Sequence, residues 1–116
     1  MKGMLKKKTL TLVFLLVFLP LVGCHPSPAP ANEAPIITSV PITTATVGEA
    51  YVHDVEATDP DGNVLTYSLT VKPSRMTINF STGKVIWFPK STGSYDVTVQ
   101  VSDGKLSDTQ SFTITV

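Results

Sequence analysis

In Ser94-Tyr95-Asp96-Val97-Thr98-Val99-Gln100-Val101, apolar and polar residues change places at every step. Successive side chains of a strand point to opposite faces, so Tyr95, Val97, Val99 and Val101 share a dry face and Ser94, Asp96, Thr98 and Gln100 a wet one. Asp103-Gly104 turns this strand back, and Phe112, Ile114 and Val116 then alternate with Ser111, Thr113 and Thr115 in a last strand. Upstream, residues 84–88 read as a strand stopped by Pro89, and Ser81-Thr82-Gly83 as a turn in which Gly supplies positive φ. Met76 and Ile78 mark a brief strand, and Leu65, Tyr67 and Leu69 are spaced by two. Tyr51, His53, Val55 and Ala57 oppose Val52, Asp54, Glu56 and Thr58 in another. Ile36-Ile37-Thr38-Ser39-Val40 is the first run, broken by Pro41 and resumed over residues 42–47 as far as the Gly48-Glu49 turn. No stretch keeps a helical period. Seven short strands at roughly 8 to 12 residue spacing predict an all-β sandwich with Greek-key connections.

The first part of the chain has another character. Lys2, Lys6, Lys7 and Lys8 precede Leu10-Thr11-Leu12-Val13-Phe14-Leu15-Leu16-Val17-Phe18-Leu19, the charged and apolar regions of an export signal. The apolar run has about half of the ~20 residues that a spanning helix needs. Leu21-Val22-Gly23-Cys24 resembles the lipobox of bacterial lipoproteins. The resemblance implies removal of residues 1–23 and a thioether-linked diacylglycerol on Cys24. Two or three acyl chains, at ~0.8 kcal/mol per buried methylene, hold a protein on a bilayer where one does so only marginally. An ordinary secretory signal and an uncleaved short anchor are the alternative readings. His25 replaces the Asp that commonly retains such proteins on the inner membrane. The expected place is therefore the bacterial cell envelope: the outer membrane of a two-membrane cell, otherwise the outer face of the cell membrane.

Residues 24–34 hold the lipidated Cys and a Pro/Ala-rich tether, which in polyproline geometry at ~3.1 Å per residue would extend about 30 Å. Residues 35–116 are expected to form one domain, enough for a single small core that buries roughly 60% of its unfolded surface. With the signal removed, five basic residues (Lys72, Arg75, Lys84, Lys90, Lys105) stand against nine acidic ones, a formal charge of −4. The basic residues are scattered, which argues against nucleic acid as a partner. Cys24 has no second cysteine to pair with, so neither a disulfide nor a thiolate metal site can form within the chain.

A family resemblance is carried by Ala45-Thr46-Val47-Gly48-Glu49-Ala50-Tyr51, Val55-Glu56-Ala57-Thr58-Asp59-Pro60-Asp61-Gly62 and Leu65-Thr66-Tyr67-Ser68-Leu69. Ser81-Thr82-Gly83 with Trp87, and Tyr95 through Asp103-Gly104, add to it. These segments resemble the bacterial putative-Ig, dystroglycan-type cadherin-like domain over residues 35–116, which implies an Ig-like (cadherin-like) seven-stranded Greek-key β-sandwich. Such modules occur as repeats in adhesins, as spacers in exported enzymes and as parts of surface proteins. Arg75 and Asn79 depart from the pattern, standing where a small residue and an acid are expected.

The resemblance implies Ca²⁺ at the end where modules meet. In an Ig-type sandwich the loop after the second strand and the loop before the last share one end, placing Asp59, Asp61 and Asp103 together. Asn32 and Glu33 resemble the linker that completes such a half-site, and calcium takes six to eight oxygens at about 2.3 to 2.6 Å. Turn chemistry is the competing reading, because Asp-Pro-Asp-Gly suits a type I turn and Asp-Gly a hairpin. The EF-hand pattern is absent, since Val64 and Thr70 occupy its Gly and Glu positions. Pro89-Lys90-Ser91-Thr92-Gly93 lacks the acids of a second, lower cation site, the pattern of a terminal or solitary module.

Trp87 alternates with Val85, and Tyr67 lies between Leu65 and Leu69, so both are expected in the core rather than stacked on a sugar. His53 sits on the apolar side of its strand, where a half-buried or rim histidine packing beside Tyr51 is expected rather than a catalytic group or ligand. No nucleophile signature surrounds any serine, which argues against an enzyme. The expectation is a membrane-anchored, non-enzymatic cell-surface interaction or adhesion module with a protein or glycan partner. A structural spacer or remnant of a larger repeat protein, and a carbohydrate-binding module, are the alternatives.

Overall fold

The computed structural model describes residues 28–116. The signal segment, Cys24 and the start of the tether lie outside the described residues. A compact unit runs Asn32–Val116 and contains the whole fold. Its strands are β1 (Ile36–Ile37), β2 (Tyr51–Asp54), β3 (Ala57–Thr58), β4 (Thr66–Val71), β5 (Thr77–Ile78), β6 (Lys84–Trp87), β7 (Ser94–Ser102) and β8 (Ser107–Thr115). β1 pairs with β3, β2 and β5 flank β6, and β4 and β8 flank β7, every pair antiparallel.

The eight elements are the seven expected strands with the second one divided and the first cut short: of the run expected over residues 36–47, only Ile36–Ile37 forms a strand, and residues 42–47 keep a single bridge at Thr44. β2 and β3 are halves of residues 51–58, interrupted where Val55 N donates to the Gly83 carbonyl and Glu56 N to Ser39 Oγ. One layer is thus β1-β3/β2-β6-β5 and the other β4-β7-β8, the distribution that Greek-key connections give an Ig-type sandwich. The first run changes layers. After β1, Thr38 N reaches the Glu56 carbonyl, whereas beyond Pro41 the chain meets β8 in a parallel bridge between Thr44 and Thr115. Pro41 has no N–H to give a ladder, so the switch falls where pairing is weakest.

Between the layers lies one apolar cluster. Val97, Val99 and Val101 of β7 and Ile114 of β8 face Tyr51, Val55, Met76, Val85 and Trp87. Trp87, 3% exposed, is met edge-on by Tyr51 at 6.3 Å and Tyr95 at 4.9 Å between ring centres. Such edge-to-face pairs add about 0.5–1.5 kcal/mol each beyond area burial. The Tyr51 hydroxyl donates to the Ile42 carbonyl at 2.7 Å, and burial pushes its pKa up to about 12, so the donor is kept at any physiological pH. The Ser81-Thr82-Gly83 turn packs under this core. Asn79 Oδ1 accepts from Ser81 N, Ser81 Oγ and Thr82 N, and Gly83 has φ of 81°. A Cβ on Gly83 would collide with the Val55 carbonyl oxygen and crowd the Tyr67 ring, so only glycine closes this turn against the sheet.

His53 is the buried polar residue of the core, 5% exposed, opposite Val85 and edge-on to Phe112 at 6.2 Å. Its Nε2 is buried without a partner. Burial lowers its pKa below the usual histidine value, with the neighbouring Asp54 pulling weakly the other way. A depressed histidine pKa means that the unfolded chain takes up the proton first. Its contribution is therefore complete above pH ~6.5 and is lost as the pH falls below that value. Melting temperature is expected to hold level from pH 8 to about 6.5 and to fall from there toward pH 5. His53→Leu is expected to flatten that segment, and an unchanged slope in the variant would assign the loss to another group.

Candidate functional site: the acidic end

Two loops and the segment before β1 meet at one end of the sandwich. In the β3–β4 loop, Asp59-Pro60-Asp61-Gly62 closes as a turn, with Gly62 N bonded to the Asp59 carbonyl at 3.0 Å. Asn63 N donates to Asp59 Oδ2 at 2.7 Å, so the first Asp of the turn caps its own loop. In the β7–β8 loop, Asp103 Oδ1 accepts from Lys105 N and Leu106 N, each at 2.8 Å. The segment preceding β1 bridges both. Asn32 Nδ2 donates to Asp103 Oδ2 at 2.9 Å, and Glu33 N donates to Asp61 Oδ2 at 2.7 Å.

The five residues singled out in the sequence therefore share one end of the fold. Asn32 with Asp103 and Glu33 with Asp61 are in direct contact, and Asp59 sits two residues from Asp61 in the same loop. Their carboxylates do not converge on one point, however. Among the described residues no three His, Cys, Asp or Glu side chains are grouped closely enough to hold a metal ion. The cause is local: four of the six oxygens on Asp59, Asp61 and Asp103 are turned toward N–H donors of their own loops or of the preceding segment. Asp59 Oδ1 is different, being buried with no hydrogen-bond partner. An unpaired carboxylate oxygen withdrawn from water is costly unless a proton, a donor or a cation meets it.

Asp103 has a pKa below the ordinary carboxylate range, held there first by the Leu106 backbone N–H, then by Asn32 and by Lys105. These donors favour the charged form.

Other side chains here have no sequence signal. Asp108 Oδ2 accepts from Ile37 N at 2.9 Å, and Gln110 Nε2 donates to the Ser39 carbonyl at 3.0 Å, so β8 clips the first run to the sandwich. Both contacts join residues 71 positions apart, and nothing in the local pattern around either residue marks them. Trp87 is in the core, as its alternation with Val85 requires.

The comparisons agree with this architecture. Residues 34–116 match the model of the family described as Putative Ig domain. The chain belongs to this family. It is 33% identical over 79 residues to the integrin beta-like protein A of Dictyostelium discoideum, covering 64% of this chain and only 4% of that protein. Among solved structures it is similar to the first two repeats of human protocadherin-24, with a TM-score of 0.56 and 21% identity over 74% of this chain and 44% of the other. An endo-fucoidan hydrolase of glycoside hydrolase family 107, MfFcnA4, aligns with a TM-score of 0.61 and 28% identity over 72% of this chain and 13% of the enzyme. The chain spans less than half the length of each of these relatives.

Removal of the Asp103 carboxylate is expected to loosen the β7–β8 turn without unfolding the sandwich. In Asp103→Ala, hydrogen exchange at the Lys105 and Leu106 amides should accelerate while that of Val97 and Val99 stays slow. Acidification of the parent should reproduce the effect only below the ordinary carboxylate range, because a lowered pKa keeps the charged form until then. Unchanged exchange at Lys105 and Leu106 would show that the loop holds without this cap.

Proposed function

We propose that this Ig-like domain is a non-enzymatic interaction module held at the bacterial cell envelope by acyl chains on Cys24, with Ca²⁺ stiffening the end nearest the tether. The observation that carries the reading is the bridge of Asn32 and Glu33 to both acidic loops. A cation there would lock the segment entering the domain to its two loops at once. The residues fit such an ion in part. Asp59 Oδ1 is a buried oxygen in need of a positive partner, and Asp61, Asp103, Asn32 and Glu33 lie at the same end of the fold, although their carboxylates would have to turn from their present donors to join it on one ion. Bound there, Ca²⁺ would neutralise carboxylates that crowd one end of an acidic domain. The kinship with an integrin beta-like protein and the likeness to protocadherin repeats support an adhesive role.

A non-catalytic role is supported by the same geometry. His53, the domain's one imidazole, is sealed between Val85 and Phe112. The acids cap turns.

A spacer without a ligand is the second reading, and one observation favours it: most of the acidic oxygens already serve their own loops. Thermal melts with added Ca²⁺ and with EGTA decide between the two. A cation site should raise the melting temperature, with about 2.7 kcal/mol of added stability at a hundredfold excess over the dissociation constant. Asp59→Ala and Asp61→Ala should lose that increment, and identical melts of the parent in both media would leave the spacer. The anchor is tested separately. Mass spectrometry of the mature protein should find a diacylglycerol thioether on an N-terminal Cys24, and a free thiol there or release into the medium would refute the membrane attachment.

A further inference from the structure

The end of the sandwich opposite the acidic loops carries a cleft of about 180 Å³. Ser74 and Arg75 of the β4–β5 loop form one side; Phe88, Lys90, Ser91 and Tyr95, around the β6–β7 loop, form the other. β7 runs between the two ends, which its nine residues set about 25 Å apart.

Three features set this cleft apart from an ordinary surface hollow. First, Arg75 and Lys90 are two of the five basic residues outside the first eight positions, and no acid lines the cleft. Cations are thus gathered where an acidic domain has few to place. Second, Arg75 has φ of 68°, the one positive value on a non-glycine among the described residues. Glycine or asparagine would adopt that conformation with less strain, and an arginine kept there points to a use for its guanidinium. Third, the opposite wall is fixed. The Tyr95 hydroxyl donates to the Ser91 carbonyl at 2.9 Å and lies 2.9 Å from Ser91 Oγ, while its ring rests on the buried Trp87. Phe88, 56% exposed, leaves an apolar plate at the rim.

We propose that this cleft binds an anionic sugar residue, a pyranose bearing a carboxylate or a sulfate ester. The planar guanidinium of Arg75 would take two oxygens of the anionic group side by side, and Lys90 would supply a point charge. The C–H face of the ring suits Phe88, and the Ser74 and Ser91 hydroxyls suit sugar hydroxyls. Below the ~300 Å³ of the smallest pockets for drug-sized ligands, the volume admits one ring, so a polymer is gripped at a single unit. The acidic end of a second copy is a poorer occupant, because four of the six oxygens of Asp59, Asp61 and Asp103 are already turned to N–H donors and a fifth is buried. The proposal is independent of the cation at the far end.

Calorimetric titration of the full chain in detergent, with a galacturonate oligomer, a sulfated galactose oligomer and a neutral galactose oligomer, tests it. At least one anionic oligomer should bind, more weakly as salt is added, and the neutral one should not. Whichever binds distinguishes carboxylate from sulfate. Arg75→Gln and Lys90→Gln should each weaken binding roughly tenfold, the worth of one charge-assisted hydrogen bond. Arg75→Gly should lose binding equally yet melt at a higher temperature, since glycine relieves the positive φ. The proposal is overturned if neither anionic oligomer binds, if the variants bind as the parent does, or if Arg75→Gly melts lower. Salt-sensitive self-association that Arg75→Gln abolishes, with no oligomer bound, would likewise overturn it and assign the cleft to the acidic end of another copy.

Discussion

Everything in this domain rests on keeping the inward side chains of β7 dry. Val97, Val99 and Val101 are at most 1% exposed, and with no cysteine beyond Cys24 no covalent bond ties one layer to the other. The layers stay together because β7 offers an unbroken apolar stripe to Val85, Trp87 and Tyr51, at about 25 cal/mol for each Å² removed from water. Trp87 is central to that contact, touching both Tyr51 of its own layer and Tyr95 of the other. A small core of this kind has little reserve. The buried His53, left with an unsatisfied ring nitrogen, is a cost that the apolar stripe offsets.

The same core sets the chemistry of the two ends. Loops that leave a rigid pair of layers are short and must turn tightly, which selects Asp, Gly, Asn and Pro for conformational reasons. At the acidic end those turn residues also carry charge, so capping and cation binding compete for the same oxygens. Asp103 shows the competition resolved toward capping, with three N–H donors around its carboxylate. Asp59 shows it half resolved: one oxygen caps Asn63 and the other is buried without a partner. Family membership fixes the fold and leaves that balance open, since Ig-like sandwiches host many functions.

Charge is unevenly placed along the sandwich. Asp59, Asp61 and Asp103 lie where the chain enters the domain, with Lys105 beside Asp103, whereas Arg75 and Lys90 line the cleft at the far end. Clusters of opposite sign at two ends attract opposite charges, which is the basis of both proposals.

The period-two pattern in residues 94–101 determined β7, its inward face and, with the spacing of the turns, an all-β sandwich. The alternation around Val85 likewise placed Trp87 inside, and that around Tyr51 put His53 on the apolar side as a half-buried or rim residue, which the opposite layer buries more deeply, to 5% exposure. These features were legible because each depends on neighbours one or two positions away, where side-chain direction follows from backbone geometry. Tertiary structure decided the rest. It divided the second strand at Val55 and Glu56, carried the first run from one layer to the other at Pro41, and joined Asp108 to Ile37 and Gln110 to Ser39 across 71 positions. It also turned the carboxylates of Asp59, Asp61 and Asp103 toward N–H donors instead of one another, and it brought Arg75 beside Lys90 around a cleft. The orientation of a side chain within a loop is set by whichever donors the packed layers bring near it, and no local periodicity records those donors.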